Sequence, residues 1–359
     1  MRQVMITEQG LHLHAEGESL LVSRGGVEVR RLRLGEVDSL ALCGGVEISS
    51  GALAVLAHRG IALVFLTERG AFRGRLWTRH GPDVALRQRQ MQLSLDPEFS
   101  IRIARRMIRA KVEQQRRILL RAQRRLKDEA VATALARLRV LAENTESVTE
   151  APLLLGLEGE AAALYFRHFN QLILAPGMEF HGRSRRPPQD APNACLSFGY
   201  TILGTLVETE VLRRGLDPFP GVFHEPRYNR PSLSLDLLEE FRPFIDTLTL
   251  RLINLRQLGP GDFENPVELT PEEVMLGEEG EPVDSLTSGS PMAARPAVHL
   301  NGTGRKVFFA EFYARLRDKY YHQPTDTTLE LRDIITSQVN QLARCFRTGE
   351  TDYQGFTLE

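Results

Sequence analysis

The segment from Gly221 to Pro243, Gly-Val-Phe-His-Glu-Pro-Arg-Tyr-Asn-Arg-Pro-Ser-Leu-Ser-Leu-Asp-Leu-Leu-Glu-Glu-Phe-Arg-Pro, sets one imidazole, His224, ahead of two carboxylates, Asp236 and Glu239. One nitrogen with several oxygens is a donor set for a divalent cation, and such ions serve phosphate chemistry. Pro218, Pro220, Pro226 and Pro231 make the stretch around His224 a loop, because proline lacks an N–H and fixes φ. Pro231 also suits the first turn of the helix that follows. In that helix Leu237, Leu238, Phe241, Phe244 and Ile245 form an apolar stripe. Asp236, Glu239 and Glu240 fall within about 100° of one another on the other side. Two readings stand here: the acids are the solvated face of an amphipathic helix, with early acids favoured by the macrodipole, or they belong to an ion site.

The elements that must position these groups come from a chain of 359 residues, long enough for two domains. No apolar run approaches a membrane span, and the N-terminus lacks the basic-then-apolar order of a secretory signal, so a cytoplasmic protein with no membrane partner is expected. Cys43, Cys195 and Cys345 are odd in number and scattered, which fits reduced thiols rather than a disulfide framework or zinc knuckle. The formal net charge of −1 conceals strong segregation. Arg102 to Lys127 holds eleven Lys or Arg against the single acid Glu113, a balance that favours phosphate contact over a merely solvated face. Gln257 to Ala294 holds no base at all, and the stretch 260–296, rich in Gly, Pro and acids, is expected to be a loop or insertion.

Short apolar runs at Ser19–Ser23, Val27–Leu32, Ser39–Cys43 and Ile61–Leu66 predict strands. One helix interrupts them, capped by Ser49 and closed by Gly60. Beyond Pro82 the composition becomes helical over Val84–Ser94 and Phe99–Leu141, with further helices expected at 159–175, 195–214, 233–257, 304–319 and 329–347. The fold class is therefore α+β: a small β-rich domain over 1–82 joined to a larger, all-helical catalytic domain over 83–359.

Three further motifs stand in order with the His224 block: Gly156-Leu-Glu158-Gly, read as a helix start; Arg185-Arg-Pro-Pro188; and Asn193-Ala-Cys-Leu-Ser-Phe-Gly-Tyr200. A later Leu300-Asn-Gly-Thr-Gly-Arg-Lys306 follows them. The series resembles the CRISPR-associated spacer-acquisition integrases, the Cas-one family, along nearly the whole chain. The resemblance implies that Glu158, His224 and Glu239 are catalytic metal ligands. Asp236 is then the supporting acid, and the division of direct contact between Asp236 and Glu239 is left open; many relatives carry Asp where Glu239 stands. It implies Mn²⁺ or Mg²⁺ as the ion, and a reaction that joins the 3′-hydroxyl of new spacer DNA to a CRISPR repeat boundary by transesterification. It also implies a homodimer, with dimerisation through the β-rich domain, and a Cas-two companion subunit; a Cas-four-type nuclease is a further candidate partner. His224 must be neutral to bind an ion, so activity is expected to fall at acid pH.

Three arginine groups are candidates for DNA contact: Arg227 and Arg230 beside His224, Arg185 and Arg186 ahead of the motif helix, and Arg105 and Arg109 in the basic run. His168 sits ten residues beyond Glu158, about 15 Å along a helix, too far to share its ion. Two other readings compete: a non-catalytic DNA-binding scaffold with a structural metal site, and a general metal-dependent repair nuclease.

Overall fold

Glycines with positive φ cut the start of the chain into short strands. Gly25 and Gly26, at φ 55° and 83°, make the tight turn between two antiparallel strands, a turn that needs positive φ at both central positions. The computed structural model describes residues 3–70, 72–76, 83–184, 187–267 and 297–357. These residues fall into two compact units, divided between 76 and 83.

The first unit holds two four-stranded sheets. One runs β1 (Gln3–Ile6), β5 (Ser39–Cys43), β7 (Ala62–Leu66), β8 (Phe72–Leu76), parallel except for its last pair. The other runs β4 (Val27–Arg33), β3 (Ser19–Arg24), β2 (His12–Glu16), β6 (Glu47–Ile48). Helix α1 (Ser50–His58) begins where Ser49 Oγ accepts from Ala52 N at 3.2 Å, the cap expected from sequence. Leu13 and Leu20 of one sheet, Leu40 and Leu63 of the other, and Leu56 of α1 lose all solvent contact and form this unit's core.

The second unit is helical. Its helices are α2 (Val84–Ser94), α3 (Pro97–Leu126), α4 (Glu129–Asn144), α5 (Ala151–Arg167), α6 (Ala191–Arg213), α7 (Ser232–Glu239), α8 (Arg242–Asn254), α9 (Gly302–Arg315) and α10 (Leu331–Thr348). The helical run expected over 99–141 is broken: Lys127 adopts left-handed φ 51°, and Asp128 caps α4 through Ala130 N and Val131 N. The single helix expected over 233–257 is two helices. Pro243 stands in the first turn of α8, where its missing N–H costs nothing, whereas inside one long helix it would remove a bond and clash with the turn before it. Two small antiparallel pairs were not foreseen: β9 (Phe263–Val267) with β10 (Ala297–Leu300), and β11 (Lys319–His322) with β12 (Thr327–Glu330). Segments of four or five residues are too short for periodicity to separate strand from helix end. The expected loop over 260–296 thus begins with a 3₁₀ turn, Pro260–Asp262, and the strand β9, and residues 268–296 lie outside the described residues.

Helix α6 is buried on most of its surface and packs on α7, α8 and α10. At Gly199 an added Cβ would lie 2.5 Å from Ile245 and 2.8 Å from Phe308, so glycine lets α8 and α9 approach α6 closely. This packing sets the platform from which α7 presents its acids.

Candidate metal centre

Helix α3 carries Lys111, α5 carries Glu158, α7 carries Asp236 and Glu239, and the loop before α7 carries His224. Lys111 Nζ donates to Glu158 Oε1 and, at 2.6 Å, to Glu239 Oε2. Glu239 Oε1 accepts from Arg242 Nε at 2.9 Å. Two carboxylates from different helices therefore converge on one ammonium, with Lys111 and Glu239 each 5% exposed. Burial alone would raise the Glu239 carboxyl, but the charges of Arg242 and Lys111 outweigh it and hold the group well below the usual carboxylate range. For Lys111 burial pulls the other way and is likewise outweighed: Glu158 and Glu239 lift it above an ordinary lysine, so the ammonium stays charged.

His224 is set by Asp236. The carboxylate accepts Val222 N at 2.6 Å and Phe223 N at 2.9 Å on Oδ2. On Oδ1 it takes His224 N at 3.0 Å and the ring Nδ1 at 2.6 Å. Because a carboxylate only accepts, Nδ1 carries the hydrogen, and in the neutral ring Nε2 then keeps its lone pair. Gly221 makes this wrap feasible, since a Cβ there would lie 2.6 Å from Asp236 Oδ2 and 2.8 Å from Ser232 Cβ. Asp236, counted above among the groups that could touch the ion, has both oxygens engaged by the loop. These bonds hold the His224 ring in place.

The donor types suit a divalent ion of the Mg²⁺ or Mn²⁺ type: two carboxylates already share a cation, and an oriented imidazole is carried by the loop that leads into the helix of Glu239. Yet among the described residues no three acid, His or Cys side chains stand close enough together to enclose an ion as they are. The two carboxylates meet the Lys111 ammonium.

The solvated-face reading of α7 fails. Asp236, Glu239 and Glu240 are 1%, 5% and 0% exposed, so all three acids point into the protein. Glu240 serves neither solvent nor the ion: it accepts from Tyr353 OH, from Phe356 N at 2.7 Å and from Gln338 Nε2 at 3.1 Å, fastening the C-terminal segment to α7. Burial, against those hydrogen bonds, pushes its carboxyl up to about 7. Glu158 is also displaced from expectation: it stands in the middle of α5, which starts at Ala151 with Pro152 in its first turn, not at a helix start. Gly156 and Gly159 suggest a boundary, but packing on α3 and α4 carries the helix through them.

The arginine candidates divide. Arg227 is exposed, beside the 95%-exposed Tyr228 at the loop tip. Arg230, at 6% exposed, is packed inside the loop. Arg105 donates to the carbonyls of Glu146 at 2.6 Å and Val148 at 3.2 Å, and Arg109 pairs with Glu113 and Glu146. Both are tied to the segment between α4 and α5, and the exposed bases of α3 are Arg102, Arg106, Arg121, Arg124 and Arg125. Arg185 and Arg186 lie outside the described residues. His168 is buried at the end of α5, as a packing residue should be.

Sequence reasoning missed Lys111, Arg242 and the role of Tyr200. Arg242 stacks 4.8 Å over the Tyr200 ring, and Arg183 lies 5.5 Å from the same ring. A signal for Lys111 was available: it continues the apolar face of α3 that runs through Ala104, Met107 and Ile108, an unusual place for a lysine.

A β-rich unit followed by a helical unit, with two acids meeting on a buried ammonium and an imidazole oriented by a third, defines an α+β protein with a charged centre in its helical unit. The family model for CRISPR associated protein Cas1 matches residues 4–282, and the chain belongs to that family. The CRISPR-associated endonuclease Cas1 2 of Rhodospirillum rubrum is 40% identical over 74% of this chain and 79% of that protein. A CRISPR-associated exonuclease Cas4/endonuclease Cas1 fusion of Geobacter sulfurreducens is 32% identical over 94% of this chain, which spans 57% of the fusion's length. Among solved structures, a Cas1 protein from Thermotoga maritima aligns over 100% of both chains with TM-score 0.75 at 22% identity. A chain of a Cas6-RT-Cas1–Cas2 complex aligns with TM-score 0.77 at 21% identity, covering 99% of this chain and 36% of that one. A casposase bound to integration product gives 0.77 at 20% identity, over 99% and 93% of the two chains. At these identities the structural matches show the shared fold.

Proposed function

We propose that this protein is a divalent-metal-dependent DNA integrase and endonuclease of CRISPR adaptation. In the proposed reaction the 3′-hydroxyl of a spacer fragment attacks a phosphodiester at a repeat boundary. A new P–O bond forms, the bond to the 3′-oxygen of the cut strand breaks, and that oxygen takes up a proton. The observation that carries this reading is the convergence of the Glu158 and Glu239 carboxylates on one cationic point, together with an imidazole that Asp236 orients through Nδ1. Glu158, Glu239 and His224 Nε2 would hold Mn²⁺ or Mg²⁺, and a bound ion supplies polarisation of the phosphate and neutralisation of charge on the leaving oxygen.

The chain's own residues do the rest. Asp236 keeps the His224 ring in register, Arg242 fixes Glu239 from the side away from Lys111, and Arg227 is placed to meet the backbone of the reacting strand. Partners in this reading are DNA, a second copy bound through the β-rich unit, and a Cas2-type companion, as in the Cas1–Cas2 neighbour. The Cas4/Cas1 fusion relative supports a Cas4-type nuclease as a further one. We place the reaction in the cytoplasm, and among the described residues no helix is long and apolar enough to cross a membrane.

The test is strand transfer of a labelled fragment into a repeat-containing target with Mn²⁺. Glu158→Ala, His224→Ala and Glu239→Ala should each remove joining while circular dichroism keeps its helical signal; the two carboxylate variants should melt lower, since each leaves the buried Lys111 short of a partner. Near-normal joining by the His224→Ala protein sinks the assignment. Cleaved but unjoined products from the wild type would favour the repair-nuclease reading instead.

A further inference from the structure

We propose that the Lys111 ammonium occupies the ion's seat in the metal-free protein, so that a divalent ion binds by displacing it and Lys111 sets the affinity. This rests on the reading of Glu158, His224 and Glu239 as ligands. Lys111 Nζ contacts a carboxylate oxygen of each of two of those ligands, one on α5 and one on α7. It does so at a site where the lysine side chain is 7% exposed, so it is no surface pair that water could replace. With Glu158 and Glu239 set against Lys111 and Arg242, the cluster is balanced in charge. An ion added with Lys111 still in place would bring two further positive charges into a buried site, which desolvation opposes.

Of the two bases, Lys111 is the one that can leave. Arg242 is held by its planar group, bonded to Glu239 Oε1 and stacked on Tyr200. Lys111 is a point charge on a flexible stem, bound through one atom. Its departure frees Glu158 Oε1 and Glu239 Oε2 together. Until then the ammonium keeps two like charges on neighbouring helices from repelling each other, and so preserves the site in the absence of metal.

The experiment is Mn²⁺ binding by calorimetry and by loss of the free-ion electron paramagnetic signal, on the full-length protein. It compares wild type with Lys111→Met, Lys111→Gln and His224→Ala. Melting is followed in EDTA and in saturating Mn²⁺. Both lysine variants should bind Mn²⁺ about tenfold more tightly than wild type, within the range usual for coupled sites. Their melting temperature in EDTA should drop, and Mn²⁺ should restore it by a larger increment than it adds to wild type. Lys111→Gln keeps a donor for one carboxylate and guards against misfolding of the methionine variant. Wild-type or weaker Mn²⁺ affinity in the lysine variants, with binding lost in His224→Ala, overturns the displacement idea and leaves the ligand assignment standing. Wild-type affinity in His224→Ala overturns the ligand assignment itself.

Discussion

Replacing Asp236 by asparagine separates the positioning of His224 from the identity of the ligands. The wild-type carboxylate accepts four hydrogen bonds, three from backbone N–H groups of the loop and one from His224 Nδ1. Hydrogen bonds to a charged acceptor contribute about 1.5–3 kcal/mol each. Asparagine with its carbonyl in the place of Oδ2 keeps Val222 N and Phe223 N, and turns its NH₂ toward His224. Two charge-assisted bonds are lost, about 3 kcal/mol at the lower figure. If the imidazole changes tautomer, Nδ1 accepts from the new NH₂ and about 1 kcal/mol returns. The net loss should therefore be about 2 kcal/mol of stability. That same tautomer change puts the hydrogen on Nε2, the nitrogen meant for the ion, so Mn²⁺ affinity should fall about 10–100-fold, the usual cost of losing such an orienting partner. Urea unfolding gives the first quantity, calorimetry the second, and long-range ¹⁵N–¹H correlation on histidine-labelled protein reports which ring nitrogen carries hydrogen. A variant that keeps Nδ1–H and wild-type Mn²⁺ affinity would refute the argument, whatever its stability.

Other outcomes follow from the same geometry. Gly221→Ala forces a methyl to within 2.6 Å of Asp236 Oδ2, so the loop must shift, with about 2 kcal/mol lost and Mn²⁺ binding weakened; an unchanged melting curve counts against the close wrap. Glu240 has its folded-state value raised to about 7 from an ordinary 4.5. The native state thus keeps a proton that the unfolded chain releases, so this stability is fully present below about pH 4.5 and is lost as pH rises toward 7. The loss is on the order of 3 kcal/mol. The unfolding free energy of wild type should accordingly fall relative to Glu240→Gln over that window, and parallel pH curves for the two proteins would show that Glu240 is not held protonated.

The parts of the fold visible in the sequence are those whose cause is local. Ser49 and Gly60 bound α1 because a side-chain oxygen satisfies a nearby N–H and a glycine tolerates positive φ. Asp83 and Asp128 act alike at α2 and α4, though the second cap lies inside a run whose composition reads as one helix. The interruption between α7 and α8 was equally local, at Pro243, and was passed over because the apolar stripe continues across it. The placement of Glu158 was not local. Two glycines lower the helix propensity around it, and only the packing of α5 on its neighbours keeps the helix intact there.

For the centre itself, the sequence by itself determined the chemistry on offer: an imidazole in a proline-stiffened loop, three acids on one helical face, and a basic run far upstream. It could not decide what each acid meets, because a helical period defines a face and says nothing of what lies across it. Tertiary structure sent Asp236 to the loop, Glu239 to the charged centre and Glu240 to the C-terminal segment. It also brought in Lys111, whose partners lie 47 and 128 residues away in the chain. A charge enters so dry a place only when partners of opposite sign are already there, and those partners are assembled by the packing of α3, α5 and α7.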